Sequence, residues 1–197
     1  METSKQKQVS GRWKLLAVLA VCASPLIFSY LTYYVIKPSG RTNYGTLIDP
    51  RAHPIPALGT TDLEGKPVAL DAWKGKWIML QAAPGDCQQA CKDQLVKMRQ
   101  LRLMQGKGME RIERVWLITD NAPLDIELMK VIEGARFLRV KPELVKAWLP
   151  VEAGSDVTEH LYLVDPLGNL MMRFPKNAEP AKVSKDIGKL LKASAIG

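Results

Sequence analysis

Apolar residues change spacing several times along the chain, and each change marks an element. Residues 15–36 form a run of 22 positions without a charge. At about 1.5 Å per residue such a helix reaches about 33 Å, enough to cross the hydrocarbon core of a bilayer. Trp77-Ile78-Met79-Leu80 is a short continuous apolar run, the pattern of a strand covered on both faces. Val115-Trp116-Leu117-Ile118 repeats it. Between them, Leu95, Met98 and Leu101 follow helical spacing, with Leu103 at the margin, and glycines at 106 and 108 close the helix.

The remaining elements follow from shorter signals. Residues 58–70 read as a hairpin turning at Asp62-Leu63-Glu64-Gly65-Lys66, and 71–76 as a second turn. Ala83-Pro84-Gly85-Asp86 breaks the central strand, and Asp86 is a good helix N-cap. A helix is expected over 125–133, a strand over 137–140, and a helix over 142–149 with Pro142 at its first position. Strands over 160–164 and 170–174 flank the turn Asp165-Pro166-Leu167-Gly168. Residues 181–192 place Val183, Ile187, Leu190 and Leu191 on one helix face. Strands linked by helices, then a closing hairpin and helix, predict an α/β fold.

Charge orients the apolar run. Lys5, Lys7, Arg12 and Lys14 precede it against one acid, Glu2, which places the short N-terminus in the cytoplasm and the rest across the membrane. Val21-Cys22-Ala23 resembles a small-residue cleavage site, but the apolar run continues well past it, so the reading is an uncleaved anchor. The expected organisation is a cytoplasmic segment 1–14, a transmembrane helix 15–36, a linker 37–57 carrying Pro38, Pro50, Pro54 and Pro56, and a folded domain 58–197. With no Arg/Ser-rich transit segment ahead of the anchor, a bacterial inner membrane and periplasm are expected. The net charge is +8, and beyond residue 14 the chain holds 24 basic against 19 acidic residues. This is a mildly basic, solvated surface, and the topology disfavours nucleic acid.

Three cysteines are present. Cys22 lies in the anchor and reads as apolar filler. Cys87 and Cys91 are the two cysteines of the exported domain, and on a helix positions i and i+4 share a face. Their sulfurs could close a disulfide or share a soft metal. A domain of this size can bury a core without disulfide staples, so a lone close pair points to chemistry. A thiol at a helix N-terminus is also favoured as thiolate.

These residues together resemble the thioredoxin superfamily and, within it, the Sco-type proteins of cytochrome oxidase assembly. The resemblance rests on Asp62-Leu63-Glu64-Gly65-Lys66-Pro67-Val68 running into Gly75-Lys76-Trp77, on the C-x3-C pair after a buried strand, and on Leu117-Ile118-Thr119-Asp120. Tyr162-Leu163-Val164-Asp165-Pro166-Leu167-Gly168-Asn169 looks like the closing hairpin of that family. The resemblance covers roughly residues 58–192 and implies a thioredoxin-like domain, a central mixed sheet flanked by helices, behind a single membrane anchor. It also implies copper bound by two cysteines and a distal histidine, here Cys87, Cys91 and His160, and a respiratory oxidase subunit or another assembly factor as partner. Imidazole with thiolates suits both Cu(I) and Cu(II). The family histidine falls near Val157, three residues before His160, and Gln88-Gln89-Ala90 stands where the family carries proline and an acidic residue.

Three functions remain open at this point. In a Sco-like factor, Cys87 would be the exposed attacking thiol and Cys91 the resolving thiol or second ligand. A metal-free, membrane-anchored thiol–disulfide oxidoreductase would use the same pair in the same roles. A scaffold would keep the pair as a structural disulfide. A thiol peroxidase is disfavoured, because Pro84-Gly85-Asp86-Cys87 lacks the hydroxyl neighbour such enzymes use.

Overall fold

The structure is a computed structural model that describes residues 11–36 and 43–196. Residues 1–10 of the expected cytoplasmic segment and 37–42 of the expected linker lie outside the described residues. The chain divides into two compact units, Met1–Thr42 and Asn43–Gly197.

The first unit is one helix. α1 spans Gly11–Leu31 and continues as a wider turn over Thr32–Ile36. Its residues Gly11–Val35 are long and apolar enough to cross a membrane, and none of that stretch is buried within the protein. Tyr30, Tyr33 and Tyr34 stack at its C-terminal end, with ring centroids 4.5 and 4.8 Å apart. Amphipathic rings of this kind suit the headgroup region.

The second unit is built on six strands: β1 Thr46–Leu47, β2 Trp77–Ala83, β3 Ile112–Ile118, β4 Arg136–Arg139, β5 Tyr162–Val164 and β6 Leu170–Arg173. They lie in the order β1-β6-β5-β2-β3-β4. β2, β3 and β4 are parallel, and β5, β6 and β1 run antiparallel to their neighbours. The parallel connections are α2 Gln89–Leu103 and α3 Ile126–Val131; α4 Pro142–Trp148 and α5 Pro180–Ala193 complete the fold. Every residue of β2 is buried, as its unbroken apolar run predicts.

Two cores sandwich the sheet. Met79, Trp116, Met172 and Phe174 pack beneath Leu95 and Met98 of α2, Leu128 of α3, and Val183 and Ile187 of α5. Ile78, Leu80, Val115, Leu117 and Tyr162 face Val145 and Trp148 of α4. Alternate β2 and β3 positions feed opposite cores, the period of two that strand geometry imposes.

Three expectations are corrected. The 58–70 hairpin is shorter than expected: Asp62 N donates to Lys66 O and Val68 N to Thr60 O around the turn, and a 3-10 turn over Leu70–Trp73 follows. Thr61 bridges Pro67 on one side and Arg139 on the other, so this short ribbon lies along the β4 edge. The second correction concerns α2, which starts at Gln89 with Gln88 as N-cap, so Asp86 does not cap it and Cys87 precedes it. The third concerns residues 43–57, expected as linker, which pack along the sheet. Thr46 and Leu47 pair with β6, Ile48 N donates to Met171 O, and Leu170 N donates to His53 O.

This edge segment is tied down by a group that the apolar pattern of the last helix conceals. Asp186 of α5 is 3% exposed, and its carboxylate accepts from Tyr44 N at 2.6 Å and Gly45 N at 3.0 Å. Lys189 Nζ lies 3.2 Å from its other oxygen. Hydrogen bonds to a charged group are worth about 1.5–3 kcal/mol, and removing the acceptor strands two donors. Asp186→Ala is therefore expected to lower unfolding stability by about 3 kcal/mol, read as a shift in urea midpoint at unchanged slope. A shift within about 0.5 kcal/mol would show that the edge segment is not anchored there.

Candidate redox site

The site forms where β2 ends. Ala83 O accepts from Trp116 Nε1 at 3.1 Å and from Thr119 N at 3.2 Å, which pins the last residue of β2 to β3. The chain then turns through Pro84-Gly85-Asp86. Asp120, just past the end of β3, accepts from Gly85 N at 2.8 Å and Ala122 N at 3.2 Å. Arg139 holds the same corner by donating to Asp120 O and Ala122 O. A Cβ at position 85 would stand 2.9 Å from Ala122 O and 3.0 Å from Asp120 Oδ1, so glycine permits the close approach of the two loops.

Beyond this clamp the chain enters the core and then α2. Cys87 is 5% exposed and belongs to the core cluster with Leu95 and Trp116. Cys91 is half-buried in the first turn of α2. The two form a disulfide with Cα atoms 5.4 Å apart. The expectation of an exposed Cys87 is thus reversed. Gln88 stays extended, at φ −74° and ψ 173°, and the helix begins two residues later than an Asp86 cap would place it. On the outer side Lys92 Nζ donates to Asp125 Oδ2 at 2.6 Å, and Asp125 caps α3 by accepting from Glu127 N and Leu128 N.

A groove of about 470 Å³ opens beside the disulfide. Cys91, Ala90 and Leu101 line one wall, and Thr158, Leu161 and Ala178 line the other. The second wall is fixed from below. Gln81, fully buried in β2, donates from Nε2 to Thr158 O at 3.1 Å. Asp156 and Glu159 form a capping box around the 157–159 turn, and Glu159 pairs with Lys176. Neither Gln81 nor Asp120 was legible as a site residue, because each works through a partner distant in sequence.

His160 lies at the C-cap of the 157–159 turn, two residues before β5, and is fully buried. Its Nδ1 is 2.9 Å from Phe174 O, and a carbonyl only accepts, so Nδ1 carries the hydrogen. Nε2 faces Ser155 Oγ at 2.6 Å and Glu152 N at 3.4 Å, and Ser155 Oγ in turn donates to Glu152 O. The ring ties the 157–161 and 174–178 segments together behind the groove. The structure brings Cys87 and Cys91 together but does not bring His160 to them. Among the described residues, no three His, Cys, Asp or Glu side chains lie close enough together to hold a metal ion. His53 is half-buried at the β6 edge, with Nδ1 3.1 Å from Asp49 O.

A mixed sheet of this strand order, with a cysteine pair just past the end of its central strand, defines a thioredoxin-like fold. The chain belongs to the family described as transmembrane-like, thioredoxin-like, C-terminal domain, which matches residues 77–194. No curated protein sequence matches the chain. Among solved structures, the chain is similar to a SCO1/SenC family lipoprotein from Bacillus anthracis at 18% identity and a TM-score of 0.55, covering 75% of this chain and 98% of that one. It is similar to Arabidopsis thaliana ScoI with copper bound at 18% identity and 0.52, covering 66% and 93%. A thiol:disulfide interchange protein from Bacteroides sp. gives 18% identity and 0.52, covering 73% and 91%. At these identities the likeness is one of fold, which Sco proteins and thiol–disulfide interchange proteins share.

The Lys92–Asp125 pair makes a testable pH dependence. The Asp125 carboxyl is held below its usual range, first by the hydrogen bond from Lys92 and then by Leu128 N–H. A group with a lowered pKa in the folded state adds stability above its unfolded pKa and loses it as pH falls through the folded value. The difference in Tm between the wild type and Asp125→Asn is therefore expected to be full above about pH 5 and to shrink below about pH 4. A difference independent of pH would show that the pair does not act as a charge pair.

Proposed function

We propose that this protein is a membrane-anchored thiol–disulfide exchange factor, with Cys87 and Cys91 as its redox pair, that serves the assembly of a respiratory oxidase. The observation that carries the reading is the Cys87–Cys91 disulfide beside an open groove, in a domain whose two large cores need no staple. A loop of this size adds little by cross-linking, since the two cysteines are only 4 residues apart. The anchor would be the Gly11–Val35 helix, and the basic residues before it favour a cytoplasmic N-terminus, a bacterial inner membrane and a periplasmic domain. An oxidising periplasm suits a pair that rests as a disulfide.

Copper enters this reading as cargo. Reduced, the two soft sulfurs of Cys87 and Cys91 are suitable donors for Cu(I). His160 is left out of the ligand set in this reading, because it is buried behind the groove wall, with Nδ1 donating to Phe174 O and Nε2 facing Ser155 and Glu152, and is not brought to the sulfurs. The oxidase copper site, whose cysteines must be reduced before metal enters, is the partner that this chemistry favours.

The full chain in detergent, equilibrated across glutathione buffers, is expected to show one reversible two-electron transition. That transition should be lost in Cys87→Ser plus Cys91→Ser, with the circular dichroism of the domain kept. Unfolding on reduction would instead mark the pair as structural. An anaerobic Cu(I) titration of the reduced chain tests the cargo. One equivalent is expected to bind through the two thiols and to be unaffected by His160→Ala, while that variant loses roughly 2 kcal/mol of stability through its orphaned partners. Loss of Cu(I) affinity in His160→Ala would return the histidine to the ligand set.

A further inference from the structure

We propose that Cys91, the second cysteine of the pair, is the sulfur that exchanges with partners, and that Cys87 is the buried thiol that leaves and resolves. The assignment rests on the thiol–disulfide reading above and specifies which sulfur the partner meets.

Access carries the assignment. Cys87 is 5% exposed and packed in the core, whereas Cys91 is half-buried and lines the groove. Thiolate attack on a disulfide is in line, with the leaving sulfur opposite the nucleophile, so the approach to one sulfur comes from the side away from the other. Cys91 lines the groove, and a partner seated there meets its sulfur. Cys87 lines a second, open cavity of about 500 Å³, and what distinguishes it is its rim: Asp86 and Asp125 oppose an incoming anion there, offset in part by Lys92, which pairs with Asp125.

In the oxidising direction, a thiolate of a dithiol partner gives its electron pair to Cys91 Sγ. The Cys87–Cys91 bond breaks, and Cys87 keeps that bond's electrons as a thiolate. The partner's second thiolate then attacks the partner sulfur of the mixed disulfide, and Cys91 leaves as a thiolate. Both protein thiolates take protons from water. The partner is oxidised by two electrons and the protein disulfide is reduced by two. In the reducing direction Cys91 thiolate attacks a partner disulfide, and Cys87 displaces the partner from Cys91.

The test uses the full chain in detergent. Cys87→Ser and Cys91→Ser are each reduced and challenged with glutathione disulfide, and the adducts are placed by peptide mapping, which also separates Cys22. Cys91 of the first variant is expected to form its mixed disulfide roughly ten-fold faster, or more, than Cys87 of the second. Equal rates, or a faster Cys87, overturn the assignment. Because a single variant can lose its fold, the reduced wild type is also given a limiting amount of iodoacetamide. First alkylation at Cys91 supports the proposal, and first alkylation at Cys87 overturns it. A wild-type disulfide that dithiothreitol never opens under native conditions overturns the exchange reading itself, whereas one that opens but reacts through Cys87 overturns only the choice of sulfur.

Discussion

The end of β2 is the fixed point of this molecule. Ala83 O is held by Trp116 Nε1 and Thr119 N, and Gly85 N by Asp120, so strand β2 and the loop after it are locked to β3 from two sides. The lock costs sequence freedom. Position 85 must be glycine because a side chain there would press on Ala122 O and Asp120, and Asp120 itself is steadied by Arg139 from β4. In return the chain reaches Cys87 along a defined path and delivers its sulfur into the core. Without that fixed entry, a pair with Cα atoms 5.4 Å apart would depend on the fraying first turn of a helix.

The second wall of the groove obeys the same logic with different chemistry. Thr158 is held by Gln81 through its carbonyl, and Phe174 by His160 through its carbonyl. Both holders are fully buried polar side chains in an apolar setting. Groups of this kind stabilise only when their partners are in place, so they specify one arrangement of the wall at the risk of a large loss if it shifts. The placement of His160 also accounts for its separation from the sulfurs. Its Nδ1–H is committed to Phe174 O, and Nε2 faces Ser155 and Glu152.

The sheet edge shows how a polar contact can extend a domain. β6 would otherwise present an open edge, and β1 with residues 48–55 covers it. The buried carboxylate of Asp186 reaches from α5 to hold Tyr44 and Gly45 at the start of that segment. The folded unit therefore begins near Asn43, ahead of the first apolar strand signal.

Much of the architecture was legible in the sequence because it depends on near-neighbour rules. Continuous apolar runs marked β2 and β3, helical spacing marked the buried Leu95, Met98 and Leu101, and the long uncharged stretch marked α1. Each of these is a one-dimensional consequence of strand and helix geometry, and the sequence carries it without help. The proximity of Cys87 and Cys91 was legible for the same reason, since four residues cannot place them far apart. The burial of Cys87, the start of α2 at Gln89, the engagement of His160 and the packing of residues 43–57 were decided by the tertiary structure alone. Each depends on a contact between residues far apart in the chain, such as Asp120 with Gly85, Gln81 with Thr158 or Asp186 with Tyr44. Local pattern records which side chains prefer burial, but only the assembled sheet determines which polar group meets which, and so which sulfur faces the groove.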